Sequence, residues 1–461
     1  MPKLKILVFV DSDPLVRHFL DAGAFSELAQ LHDLRLVLPP DGYQRLRSAI
    51  PQDSWGLELH RVSISEEHRI LWKRLFYIDQ ARFRPGRDWA DIRRGWRAIV
   101  GWKAALQFGF YALPFIRQIV CAIMRSRLAN RPASNLEALL DSQTPDILIH
   151  PSTFDGYFIN DVIAAARDRK IPSVLLMNSW DNPTLKRAAV GQPDAVAVWG
   201  EQSRAHSVRF MRLPEDKVHI LGAAQFDVYR DAPVETRESI CYEHGIDPAN
   251  RILMYAGSSK GNWESQHLHW LSDAIDRGEL KATTILYRPH PYGLDVEDAR
   301  EIINNTPQNV RIESSMVPLL NSLASGERGG FFITPYSRTH SLLCAVDALV
   351  SPLSTIILEA GVHEKPVMCF IPWEEDEDSI WKKLRDLIHF RDLLECPSVI
   401  VAHSHDEFLP SVTALMAKVN DPDYSRKVKD DIEFFVEFPQ QRYGEKLVLL
   451  VDRLLGRDAA A

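Results

Sequence analysis

The sequence predicts two successive open, parallel α/β sheets, and three observations carry that prediction. Short apolar runs alternate with helix-like segments from the first residues onward, which is the signature of strands joined by crossover helices. The alternation pauses at an acidic, proline-bearing stretch, DVYRDAPVET (227–236), and then restarts. At 461 residues the chain also exceeds what one hydrophobic core usually organises.

KILVFV (5–10) opens the first unit, followed by a helix expected at 15–30 and a strand at LRLVLP (34–39). Beyond a long basic segment, ASNLEALLDSQTPDILIHPS reads as a helix delivering a strand at 146–150. A helix at 156–169, strands at IPSVLLMN (171–178) and DAVAVWG (194–200), a helix at 201–212 and a strand at KVHILGA (217–223) complete it. The second unit offers strands at RILMYAG (251–257), TTILYRPHP (283–291), NVRI (309–312), GGFFITP (329–335), DALVSP (347–352) and KPVMCFI (365–371). Its helices are expected at 262–278, 314–323, 337–345, 354–363 and 406–418. The domains then run 1–230 and 231–440, and 441–461 supplies a helix (RYGEKLVLLVDRLLG) expected to pack back across the junction.

Composition is that of a soluble globular chain, 46% hydrophobic and 25% charged with a formal net charge of −8. Five cysteines without CxxC or zinc spacing suit a reducing compartment. The opening MPKLKILVFVDSDP lacks the form of a signal peptide, and no run of 18 uncharged apolar residues occurs, so a cytoplasmic chain is expected. The net charge hides an asymmetry. Residues 61–131 carry fifteen Lys/Arg against five Asp/Glu, a balance of +10, which leaves −18 for the remainder. Trp89, Trp96 and Trp102 recur within that stretch among Arg93, Arg94, Arg97 and Lys103. Helices of this composition suit either a packed insertion with arginines at its rim or an anionic membrane face. No nucleic-acid module accompanies them, so nucleic acid is not expected as a partner. The acidic run EEDED (374–378) reads as a solvated loop, since consecutive carboxylates converge poorly on one ion.

Chemistry concentrates at strand ends of the second unit. MYAGSSKGNW leaves its strand through Gly257, Ser258 and Ser259, a turn whose N–H groups and hydroxyls suit a phosphate. LYRPHP ends its strand with Arg288 and His290, the latter held between prolines of which Pro291 is the second; fixed backbone there aims both side chains toward a diphosphate. In DALVSPLSTIILEAGVHEKPV, Ser351, Ser354 and Thr355 lie between strand and helix, where N-capping hydroxyls and free N–H groups make an anion site. Glu359, one turn further, is placed to accept from a ribose hydroxyl.

The order of a GSS loop, an HP dipeptide, and S-x-x-[ST]-[ST]-x-x-x-E before G-x-x-x-K-P-V resembles bacterial glycosyltransferases with two Rossmann-like domains facing each other across a cleft, the GT-B architecture. The group most resembled is the surface-carbohydrate enzymes related to CDP-glycerol glycerophosphotransferases, together with the HP-motif transferases that use CMP-sugars. That resemblance implies that His290-Pro291 and Ser354-Thr355 hold the donor phosphate, with Ser258 and Ser259 lining the same cleft and Glu359 facing the nucleoside. In the first domain, IPSVLLMNSWDNPTLK, AVAVWGEQ and GAAQFDVY resemble runs found in surface-polysaccharide biosynthesis proteins. The two resemblances span about 140–230 and 250–372, and the basic insertion is outside both. Where the family pattern leads one to expect lysine or another residue, this chain has Arg288.

On the acceptor side, Ser179, Trp180, Asp181 and Asn182 end a first-domain strand, with Trp180 suited to stack on a sugar and its neighbours to bond acceptor hydroxyls. Asp11 and Asp13 follow the first strand and Asp155 the third. An inverting transfer needs one base near the acceptor hydroxyl; Asp13, Asp155, Asp181 and His18 all remain open for it. DSD at 11–13 is too short a pattern for a metal motif, so neither a metal nor a cofactor is expected. The expected partners are a CMP-, CDP- or UDP-linked donor and a lipid-linked or oligosaccharide acceptor, at the inner face of the cell membrane. Rival readings are a sugar-nucleotide 2-epimerase or hydrolase on the same scaffold, and a non-catalytic partner in polysaccharide assembly.

Overall fold

A computed structural model describes residues 2–46, 56–81, 96–97, 100–130, 134–153, 156–184, 188–258, 263–291, 294–326, 334–371 and 387–457. Asp155, Ser259, Trp89, Arg93, Arg94 and the acidic run 374–378 lie outside the described residues, as does 329–333 of the expected strand at 329–335. The chain divides into one unit of Met1–Asp227 with Phe435–Ala461 and a second of Val228–Phe434.

The first unit is built on seven strands: β1 (Lys5–Phe9), β2 (Asp33–Leu38), β3 (Glu58–Arg61), β4 (Ile147–His150), β5 (Ser173–Leu176), β6 (Ala195–Val198) and β7 (Val218–Ile220). They run parallel in the order β3-β2-β1-β4-β5-β6-β7, with Val8 paired to Leu36 on one side and Ile149 on the other. Ile6, Val8 and Val10 join one core layer while Leu7 and Phe9 join the opposite one. A period of two with both faces apolar is what a sheet covered by helices on both sides requires. The last helix, Tyr443–Leu454, belongs to this unit: Tyr443, Leu447 and Val451 enter the β1 core layer, and the Tyr443 N–H donates to Asp227 at 2.7 Å. The helix Ser26–Leu31 lies so close that the Glu27 carboxylate occupies the place a Cβ at Gly444 would need.

The second unit has six parallel strands: β8 (Arg251–Ala256), β9 (Thr283–Arg288), β10 (Val310–Ile312), β11 (Ala348–Ser351), β12 (Val367–Phe370) and β13 (Val399–Ala402). Their order is β10-β9-β8-β11-β12-β13. Each sheet starts at its centre, winds outward one way, then crosses to the other side. The crossing points lie between β1 and β4 and between β8 and β11, and such crossings are where open α/β sheets leave a crevice for ligands.

Two strands, β3 and β13, have no counterpart among the expected elements. β3 reads ELHR, with no apolar pattern, because it is an edge strand; Glu58 pairs with Arg35 at 3.1 Å instead of entering a core. The helix expected at 15–30 is broken into Asp13–Leu15, a widened turn at Val16–Leu20 and Ser26–Leu31, with Gly23 at φ +71° turning the chain between them.

The basic segment folds as the helices Glu66–Gln80, Ala104–Ala112 and Pro114–Ala129 around a small core of Leu75, Ile78, Trp96, Cys121, Met124 and Leu128. The recurring tryptophans therefore separate: Trp96 is buried there, and Trp102 is 77% exposed. Among the described residues no helix is long and apolar enough to cross a membrane.

Candidate functional site

Three adjacent strands of the second unit, β9, β8 and β11, end together at the crossing edge, and each delivers residues singled out in the sequence. Beyond β8, Ser258 is 3% exposed and its Oγ has no hydrogen-bond partner among the described residues. Ser351, the last residue of β11, is fully buried with its Oγ in the same condition. Buried hydroxyls are normally bonded, so two without a partner among the described residues at a crossing point are polar groups able to bond a ligand there. At the end of β9, Arg288 is buried and its guanidinium donates to Thr339 Oγ1 at 2.8 Å. His290 lies two residues on; burial, and then the Arg288 charge, push its pKa down to about 4. Thr355 starts the helix Ile356–Val362 without capping it through its side chain. Ser354 is half-buried beside it. Glu359 accepts from the Tyr229 hydroxyl at 2.6 Å, so this carboxylate is already anchored by one tyrosine. Gly257 and Pro291 follow the first two strand ends, the Gly257 N–H donating to Arg288 O at 2.9 Å. That bond ties the β8 and β9 exits to one another.

Glu264 escaped the sequence reading. It is fully buried at the start of the helix Glu264–Asp276; its carboxylate accepts from the Ser258 N–H at 3.1 Å and the Tyr287 hydroxyl at 2.7 Å. Any side chain at Gly257 would occupy the space of that carboxylate. The glycine is thus explained by the acid that folds back on its loop, and the acid by the loop N–H it holds. Burial raises the Glu264 pKa to about 7, against the lowering effect of those two hydrogen bonds. A carboxyl with a raised folded pKa binds its proton more tightly in the native state, so stability falls as pH climbs from about 4.5 through about 7. The Glu264→Gln protein is expected to lose that decline. Melting curves between pH 5 and 8 check it, and a wild-type melting temperature that stays level over this range would refute it.

The first unit gathers polar groups at the corresponding edge. Asp11 is buried; burial acts to raise its pKa, but the His150 imidazole 3.7 Å away and the Tyr157 N–H at 2.5 Å hold it below the usual value. Asp13 is buried at the start of its short helix, its N–H donating to Arg45 O at 2.9 Å. His18 Nδ1 donates to the Asn178 carbonyl at 3.0 Å, an assignment that leaves Nε2 as the basic nitrogen. The Ser179–Asn182 segment is a self-bonded turn. Asn182 Oδ1 accepts the Asn178 N–H, Asn182 Nδ2 reaches Asp181 Oδ1 at 3.3 Å, and Thr184 Oγ1 donates to Asp181 O. Trp180 differs from the sequence expectation: it is 2% exposed and lies T-shaped to Phe435 at 5.8 Å, so almost none of its ring is open for stacking on a sugar. Ser179, half-buried, is the more accessible member of the four.

No protein-family model matches the sequence, and no curated protein matches it. Solved structures match over nearly the whole chain. The UDP-GlcNAc 2-epimerase from Neisseria meningitidis bound to UDP-GlcNAc aligns at 11% identity and TM-score 0.56, covering 98% of this chain and 100% of its own. A UDP-N-acetylglucosamine 2-epimerase described as putative, from Listeria monocytogenes, aligns at 9% and 0.56, covering 99% and 98%. A glycosyltransferase from Rickettsia africae aligns at 10% and 0.50, covering 100% of both chains. The likeness is one of fold: the two-domain α/β architecture of the GT-B class.

Proposed function

We propose that this chain is a glycosyltransferase, or a glycerophosphate-type transferase of the same kind, moving a sugar or sugar-like unit from a nucleotide-activated donor to a hydroxyl of a bacterial surface polysaccharide. The observation that carries the reading is the pair of buried, unpaired hydroxyls, Ser258 and Ser351, at the β8/β11 crossing beside Arg288 and His290. Hydroxyls, backbone N–H groups and a cation at adjacent strand ends suit the phosphates of a nucleotide. In the transfer of a sugar, the acceptor oxygen bonds to the anomeric carbon as the bond from that carbon to the phosphate oxygen breaks; in the transfer of a glycerophosphate, it bonds to the phosphorus as the phosphoanhydride P–O bond to the nucleotide breaks. The electron pair leaves with the nucleotide, where Arg288 and His290 stabilise the developing charge. The acceptor proton goes to a base drawn from Asp13, His18, Asp155 and Asp181; among the described ones His18 has the tautomer suited to it.

Calorimetry of the full chain with CMP, CDP, UDP and GDP tests the donor site. Binding of at least one, weakened several-fold by Thr355→Ala, is the expected result. Failure of all four at millimolar concentration would favour a non-catalytic assembly partner. The epimerases among the fold's neighbours supply the second reading. Incubation with UDP-GlcNAc, followed by separation of the product sugars, distinguishes it: an epimerised nucleotide sugar formed without acceptor would replace the transferase proposal.

The basic insertion supports a membrane-linked acceptor. Trp102, Leu106, Phe110, Phe115, Ile119 and Ile123 are exposed on two successive helical segments that also carry Lys103, Arg117, Arg125 and Arg127. Large apolar side chains interleaved with cations suit the interface of an anionic bilayer. The protein is expected to co-sediment with anionic vesicles at low salt, to ignore neutral ones, and to be released by added salt. Double replacement of Trp102 and Phe115 by serine should weaken retention about tenfold or more, and equal retention of that variant would remove these helices from the interface.

A further inference from the structure

Two histidines and a cysteine of the second unit converge outside the strand-end site. His340 and Cys344 lie one turn apart on the helix Tyr336–Ala345, and His363 ends the helix Ile356–Val362. Their ligand atoms all fall within 4.8 Å of one another. His363 Nδ1 lies 2.7 Å from Glu359 O, and His340 Nε2 lies 2.9 Å from Asp231 O. A carbonyl only accepts, so both outer nitrogens must carry hydrogen. In two neutral rings the inner nitrogens, His363 Nε2 and His340 Nδ1, are then both lone pairs, and they face each other at 2.8 Å. Two lone pairs at that separation need a positive centre between them: a third proton or a metal ion. Cys344 Sγ stands 3.6 Å from the same His340 Nδ1. A shared proton leaves that sulfur unused, whereas a metal takes all three donors.

We propose that His340, Cys344 and His363 form a binding site for a thiophilic divalent cation, with zinc the best match. Zn–N bonds of about 2.0–2.1 Å and a Zn–S bond of about 2.3 Å at tetrahedral angles place nitrogen and sulfur about 3.6 Å apart and two nitrogens about 3.3 Å apart. The sulfur has that distance to His340 Nδ1, but at 4.0 Å from Nε2 it lies beside the ring, so binding needs the Cys344 side chain to turn toward the Nδ1 lone pair and the two rings to part by about half an ångström. Backbone carbonyls bonded to the outer ring nitrogens are the orientation that metal-binding imidazoles commonly have. Cys344 is exposed, so an ion held here can be reached from solvent. Tyr229 closes the other side, stacked on His340 at 5.4 Å and edge-on to His363 at 4.6 Å. The bound ion joins the helix carrying Thr339, which holds Arg288, to the helix carrying Glu359. Its role is to brace the donor side, and nothing in the transfer step passes through it.

The test uses the full chain without a polyhistidine tag, stripped with chelator and titrated with Zn²⁺ and Co²⁺. One equivalent is expected to bind, raising the melting temperature. The Co²⁺ form should show tetrahedral ligand-field bands and a thiolate charge-transfer band. The other four cysteines are buried, so Cys344→Ser should remove the thiolate band. His363→Gln should weaken affinity by more than about tenfold. Because Cys344 is on the surface, its serine variant stays informative even if a histidine variant fails to fold. Absence of metal binding at micromolar Zn²⁺, or a cobalt spectrum unchanged by Cys344→Ser, would overturn the site and leave a shared proton between the two rings. Nucleotide calorimetry on both the Zn²⁺-loaded and the stripped protein separates this outcome from failure of the transferase reading: nucleotide bound by either form keeps that reading whether or not the metal binds, and nucleotide bound by neither form counts against that reading alone.

Discussion

Replacing His290 by alanine is expected to lower turnover about ten- to a thousand-fold while leaving the fold intact, the scale of one positioned group acting on transition-state charge. The residue sits just beyond β9 and contributes to no core layer, so truncation removes chemistry and little packing. Its imidazole is neutral at pH 7, since burial and then Arg288 depress its pKa to about 4. An anionic phosphate reverses the effect of Arg288 and draws a proton onto the ring. Donor binding should therefore take up protons and tighten as pH falls from 7 toward 5, beyond the change due to the phosphate's own ionisation. In the His290→Ala protein that excess should vanish. Calorimetry in buffers of different ionisation enthalpy counts the protons directly. A folded variant with unchanged turnover, or with the same proton uptake as wild type, would remove His290 from the donor site.

Why these strand ends were legible in the sequence, and others were not, follows from what each residue does. Ser258, Arg288, His290 and Ser351 stand directly after apolar runs, and parallel strands carry such residues to one sheet edge whatever the loops do. Glu264 was illegible because an acid opening a helix looks like an ordinary N-terminal carboxylate; only its burial against Ser258 and Tyr287 reveals it. Trp180 misled for the opposite reason. Its place after a strand suits a sugar platform, yet its partner Phe435 lies 255 positions away, a contact no local pattern announces. The residues of the FDVY run divide structural work: Phe226 packs on Trp199, Asp227 holds the Tyr443 N–H, and Tyr229 reaches Glu359. The histidine–cysteine cluster was missed because its third member comes from a different helix, which defeats any spacing rule.

The Arg338→Leu protein is expected to be the least stable of the variants considered, by about 3–5 kcal/mol, because it leaves the fully buried Glu313 without its cation in a cluster whose other acids are partly exposed. Arg338 bonds Glu235 at 2.5 Å, Glu243 at 2.8 Å and Glu313 at 2.8 Å. Burial opposes its charge, and the three carboxylates more than compensate, raising its pKa further. Glu313 is fully buried, so leucine leaves an acid without its cation and three like charges without a centre. Lysine in that position keeps the charge but not the planar fork that serves several carboxylates at once, and should recover only part of the loss. At about 2–4 °C per kcal/mol for a unit of this size, the leucine variant's melting midpoint should fall by about 6–20 °C. Adding Glu313→Gln should restore some of it, because the amide carries no uncompensated charge. A midpoint equal to wild type would show that the cluster is solvated in solution. The consequence reaches the site through adjacency: Thr339, the next residue on the same helix, is the one that holds the Arg288 guanidinium. Donor affinity measured well below the midpoint should therefore fall as well, and more for leucine than for lysine.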